Sequence, residues 1–213
     1  MKNMKTRLIL VAAVAAVMTR PCAAGAGSRA AAETAKVPAD ISEIRIEAGD
    51  MVSITFVKSA ATIVAAEVRT DSQAANPVSI ERQGSKMVVK VAGREDPSKP
   101  KSGRMTTSLK LHIPGGRNVT VLGRNLVISG ELAAKNIQVR TTSLSMHFLK
   151  MSAAGVSVET GYGQLKFTLA SASKLSVKGD VLSGKIFIPA SAEVVCPDKG
   201  ELQIVRAALL ASK

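Results

Sequence analysis

Two histidines, two cysteines and a sparse set of carboxylates are the side chains with which this chain could do chemistry. His112 sits in Leu-Lys-Leu-His-Ile and His147 in Ser-Met-His-Phe, both at outward positions of alternating strand patterns. Aligned by the repeats described below, they share a column two rungs apart, with Ser129 between them. Their backbones are then roughly 9 to 10 Å apart at the spacing of hydrogen-bonded strands. One metal ion needs each ligating nitrogen at about 2 Å, so this pair predicts surface histidines and no metal centre. Glycan hydrolysis or elimination needs paired carboxylates, or a carboxylate beside Arg or Lys. From Lys101 to Ile188 the acidic residues are Glu131, Glu159 and Asp180, and they fall at different positions in the repeat. The pattern therefore predicts no catalytic residue, no cofactor site and a chain that is not an enzyme.

The remaining motif-like stretches read as structure. Gly115-Gly116 and Gly161-Tyr162-Gly163 lack the Lys-Ser/Thr ending and the following helix of a phosphate loop, and are predicted to be turns. Asn118-Val119-Thr120 matches a glycosylation acceptor but stands at a predicted strand start. Cys196, beside Val194 and Val195, reads as a small buried hydrophobe.

The amino terminus supplies an address. Lys2, Lys5 and Arg7 precede an 11-residue apolar run from Leu8 to Met18, then small residues from Ala23 to Gly27. This is the order of a secretory signal peptide, predicted over residues 1–26, and the run is well short of the roughly 20 residues of a membrane span. Cys22 stands where a lipoprotein cysteine would stand, but Thr19, Arg20 and Pro21 before it are not the residues that lipoprotein processing prefers. Cleavage after Ala24 or Ala26 removes Cys22, so that no intramolecular disulfide is then possible.

Those side chains must be carried by strands. Val119/Val121, Ile137/Val139, Val156/Val158 and Leu175/Val177 recur every 18 to 19 residues. A second set follows in phase: Leu126/Ile128, Leu144/Met146, Leu165/Phe167 and Ile186/Ile188. Leu109/Leu111/Ile113 before Pro114-Gly115-Gly116 resembles Ile186/Ile188 before Pro189-Ala190-Ser191. A fixed period carrying two short alternating strands predicts an all-β chain and a β-solenoid with coils of about 18 to 21 residues. Four Phe, one Tyr and no Trp imply an aliphatic core. Stacking the repeats places Thr120, Gln138, Ser157 and Ser176 in one outward column, and Leu122, Arg140, Glu159 and Lys178 in the next.

Ahead of the repeats, Ile44/Ile46, Val52/Ile54/Phe56, Val64/Ala66/Val68, Val78/Ile80 and Met87/Val89/Val91 alternate between turn signals. They predict an antiparallel β meander over residues 40–98, packed on a solenoid of residues 105–213. Residues 27–39 read as a flexible tether, Gly93–Gly103 as an exposed loop, and Leu202–Leu210 as an apolar cap on the last coil.

Net charge is +13, and it is unevenly spread. From Lys101 to Ile188 there are 12 basic residues against three acidic ones, whereas residues 40–98 are near neutral. A basic exported surface attracts anionic polymer or lipid, and Lys110, Arg124, Lys150 and Lys166 are the candidate contacts. Lysines on strands also keep sheets soluble. Nucleic acid is disfavoured, because stacking aromatics are nearly absent.

Residues 135–141, 156–167, 175–181 and 184–189, from Lys-Asn-Ile-Gln-Val-Arg-Thr to Gly-Lys-Ile-Phe-Ile-Pro, resemble the bacterial putative adhesin family, related to the head domain of auto-transporter adhesins. The resemblance runs over roughly residues 40–205 and implies an exported, non-catalytic β-solenoid of the periplasm, cell envelope or cell surface. It implies no active-site residues. Thr141-Thr142-Ser143 stands where that family usually has a glycine turn. The readings left open are a binding module for anionic envelope polymer, lipid or an envelope protein; an envelope-stress accessory with a membrane-protein partner; and, more remotely, a polysaccharide-active enzyme.

Overall fold

The computed structural model describes residues 29–71, 74–93, 107–172, 174–196 and 201–207. The predicted signal segment 1–26 with Cys22, residues 94–103 of the predicted loop and residues 208–210 of the predicted cap lie outside them. Every regular element among the described residues is a β-strand: β1 (Arg29–Lys36), β2 (Glu43–Ala48), β3 (Val52–Ser59), β4 (Ile63–Thr70), β5 (Val78–Gln83), β6 (Lys86–Val91), β7 (Thr107–Pro114), β8 (Asn118–Leu122), β9 (Asn125–Ala133), β10 (Asn136–Ser152), β11 (Gly155–Ser171), β12 (Lys174–Lys178), β13 (Val181–Pro189), β14 (Glu193–Val195) and β15 (Glu201–Ala207).

The strands form two long runs. One reads β5–β6–β2–β8–β10–β11–β12–β14, and the other β1–β4–β7–β3–β9–β10–β11–β13–β15. β10 and β11 belong to both, the first half of each pairing in one run and the second half in the other. All pairs are parallel except β1–β4, β4–β7 and β5–β6 at one end. Alternate residues of both runs point into one core. Ile44, Val119, Ile137, Val156 and Leu175 are buried in register, as are Ile46, Val121, Val139, Val158 and Val177. The first predicted column set is therefore present as read, and it continues backwards onto Met87 and Val89 of β6.

The antiparallel meander over residues 40–98 is corrected. β2 pairs in parallel with β6 on one side and β8 on the other, and β3 likewise lies between β7 and β9. Only β4 and β5 turn antiparallel, at the end of the stack. Alternation specifies which face of a strand is buried but not its neighbour, so the same pattern fits a meander or an insertion. The flexible tether is also corrected, because residues 29–36 form β1, paired along its whole length with β4. Backbone pairing needs no apolar pattern, and alanine carries little strand signal. Ala31 and Ala35 pack against the core. Leu202 and Ile204 belong to β15, which continues the parallel run beyond β13.

The second column set holds for its first half. Leu126/Ile128 face Leu144/Met146, but Leu144/Met146 face Gly163/Leu165, and Phe167 faces Ile186. Displacement by two residues keeps inward and outward positions unchanged, so hydrophobicity could not reveal it. Gly161-Tyr162-Gly163 and Thr141-Thr142-Ser143 are likewise no turns, since both lie inside continuous strands. Threonine hydroxyls do the local work there. Thr141 Oγ1 donates to the Arg124 and Ser143 carbonyls at 2.6 and 3.1 Å, and Thr160 Oγ1 donates to those of Thr142 and Tyr162 at 3.4 and 2.9 Å.

Candidate functional site

On the outward face of the β5-to-β14 run, charges alternate in sign along each row. Lys86 of β6 meets Glu43 of β2 at 2.8 Å, Arg140 of β10 meets Glu159 of β11 at 3.3 Å, and Lys174 of β12 meets Glu193 of β14 at 3.3 Å. The predicted row Leu122–Arg140–Glu159–Lys178 is present in register. So is the row Thr120–Gln138–Ser157–Ser176. Asn136 Nδ2 donates to Asn118 Oδ1 at 3.0 Å, so the glycosylation-like asparagine takes part in a side-chain ladder. A polar depression of about 440 Å³ lies here, lined by Arg45, Thr120, Gln138 and Arg140 among others.

Burial pushes the Glu43 carboxyl up, but hydrogen bonds from Lys86 and Thr120 and the charges of Lys86 and Arg45 outweigh it. Its net position is below the ordinary carboxylate range. The hydrogen bond between Lys90 Nζ and Glu81 Oε2, 2.8 Å long, lowers the Glu81 carboxyl and raises the Lys90 ammonium.

The other outward face is built differently. One row crosses it from β4 to β15: Glu67, Lys110, Thr55, Ser129, His147, Lys166, Lys185 and Gln203. At its β4 end Glu67 Oε1 lies 3.6 Å from both Lys110 Nζ and His112 Nε2. In the middle Thr55 and Ser129 share a hydroxyl hydrogen bond of 3.3 Å. Towards the other end His147, Lys166 and Lys185 stand on successive strands, all exposed. Their backbones are about 4.8 Å apart, with no carboxylate in that part of the row. Lys185 Nζ sits 5.2 Å from the centre of the Phe187 ring.

The four candidate contacts are thus not equivalent. Lys110 is matched by Glu67, and Lys150 faces Glu131 across the β10–β9 pair. Arg124 lies in the connection between β8 and β9, where its carbonyl accepts from the amides of Thr142 and Ser143. Lys166 alone of the four stands between other basic side chains. The hydrophobic pattern alone sets Phe187 opposite Lys166, and only the two-residue displacement brings Lys185 and His147 beside it.

The shared histidine column is corrected as well. His112 faces Val57 of β3, so it and His147 occupy different columns with β3 and β9 between their strands. No group of three or more His, Cys, Asp or Glu side chains that could hold a metal occurs among the described residues. Cys196 is half-buried and packs against the core. No helix among the described residues is long and apolar enough to cross a membrane.

No family model matches the chain. No curated protein sequence matches it. Among solved structures it is similar to a putative cell adhesion protein from Clostridium sporogenes, at 6% identity and TM-score 0.47, covering 85% of this chain and 95% of that one. It is also similar to a putative adhesin from Bacteroides fragilis, at 12% identity and TM-score 0.37, covering 84% and 97%. A putative lipid binding protein from Parabacteroides distasonis is similar at 13% identity and TM-score 0.23, covering 84% and 94%.

Proposed function

We propose that this chain is an exported, non-catalytic binding module of the cell envelope, a β-solenoid adhesin whose basic face contacts an anionic surface partner. The observation that carries the reading is the contrast between its two outward faces. One interleaves Lys and Arg with Glu, whereas the other sets His147, Lys166 and Lys185 side by side. Like charges directly opposite one another destabilise a sheet. A row that tolerates them is suited to a partner that supplies the missing negative charge. Export rests on the order of charged, apolar and small residues before residue 27.

A flat face with many cationic side chains binds by summing weak contacts, and each is screened over about 8 Å at physiological ionic strength. Co-sedimentation of the purified chain with whole-cell envelope fractions across a salt series tests the reading. Binding should fall as salt rises, and at low salt it should be weaker in a variant with Lys110, Arg124, Lys150 and Lys166 changed to Gln. Binding indifferent to both would sink it.

A further inference from the structure

We propose that the partner is a linear acidic polysaccharide, lying along the stack with its carboxylates on the row His147–Lys166–Lys185. This inference rests on the reading above and narrows it to one face and one ligand class. Three parallel rows support it. The basic row repeats at the strand spacing of about 4.8 Å, comparable to one sugar ring of an extended chain. Two residues along each strand, Ser145, Gln164 and Ser183 form a neighbouring row of uncharged hydrogen-bonding side chains. On the other side Thr168 and Phe187 face each other.

A polymer with evenly spaced carboxylates and intervening hydroxyls matches that order. Its carboxylates meet the cations and its hydroxyls meet the amide and hydroxyl row. The half-buried Phe187 ring holds the Lys185 ammonium above it, which reduces the freedom that side chain loses on binding. Among the described residues the carboxylates on this face stand elsewhere: Glu67 at the β4 end beside Lys110 and His112, Glu131 opposite Lys150 and Glu201 opposite Ser183. A membrane surface offers no fixed spacing to such a row, and single-stranded nucleic acid binds through ring stacking that one half-buried Phe does not provide.

The test measures dissociation constants of the full chain for oligogalacturonate, for a neutral maltooligosaccharide of equal length, for phosphatidylglycerol vesicles and for a single-stranded oligonucleotide. Two charge-matched variants are compared, Lys166→Gln with Lys185→Gln, and Lys174→Gln with Lys178→Gln on the opposite face. All three proteins are first shown to unfold in one cooperative thermal transition well above the temperature of the binding assay. Oligogalacturonate should bind and the neutral glycan should not. The first variant should weaken binding about tenfold or more, and the second by less than about threefold. Equal weakening by both variants overturns the row as the site while leaving a basic binding module standing. Row-dependent binding of vesicles or oligonucleotide without oligogalacturonate overturns the glycan assignment alone. Absence of binding to all three anions overturns both readings.

Discussion

Lys166 of β11 and Lys185 of β13 face each other directly across a parallel strand pair, with His147 of β10 on the far side of Lys166. In the opposite run, Glu159 of β11 stands between Arg140 and Lys178 instead. β11 therefore stands in a charge-matched row on one face and beside a like-charged lysine of β13 on the other.

Lys166→Glu should stabilise the free protein slightly, because it places a carboxylate between two basic neighbours. The gain is within about 1 kcal/mol, since exposed pairs are well solvated. It should appear as a higher midpoint of thermal unfolding at low salt and vanish at high salt. A lower midpoint at low salt would mean that the row carries no repulsion.

Gly130→Ala should destabilise strongly. Gly130 lies on β9 between Phe56 of β3 and Phe148 of β10, whose rings stack with centroids 6.2 Å apart and planes at 24°. Its φ is +104°, and a Cβ there would come within 2.0 Å of the Phe56 carbonyl oxygen. Backbone strain of this kind costs about 1 to 3 kcal/mol, before any displacement of the two rings. Gly84→Ala is the control: its φ is +61°, but nothing lies within 4 Å of the added carbon. Denaturant midpoints should order as wild type, Gly84→Ala, then Gly130→Ala.

Thr160→Val keeps size and branching while removing the hydroxyl that bonds the Thr142 and Tyr162 carbonyls. Thr160 is buried, so losing it should cost about 1 kcal/mol, and up to about 3 if a carbonyl is left unpaired. A variant as stable as wild type in urea would show that water replaces the hydroxyl.

Glu43 gives a pH-dependent contribution with a definite sign. Its folded carboxyl titrates below the ordinary carboxylate range, so its stabilisation is fully present above that range. It is lost as pH falls through the lowered folded value. Glu43→Gln should therefore be less stable than wild type at neutral pH, and the two melting curves should converge at acid pH. A constant gap at all pH values would remove Lys86 and Arg45 as the cause.

The sequence by itself determined that the chain is all-β, with an aliphatic core and an inward column that runs unbroken through Val119, Ile137, Val156 and Leu175. It also determined the row in which Glu159 lies between Arg140 and Lys178. Both follow from a period of two along each strand and a fixed period between strands, which local residue types record. The tertiary structure decided what that periodicity leaves degenerate. It inserted β2 and β3 into the parallel runs, turned Ala-rich residues 29–36 into an edge strand, and displaced β13 so that Lys185 meets Lys166. Neighbour choice and two-residue displacements leave every side chain on the same face. They are settled by backbone pairing and by close approaches such as that of Gly184, where a Cβ would lie 2.2 Å from the Leu165 carbonyl oxygen. The basic row depends on that register, and so it exists only in the folded chain.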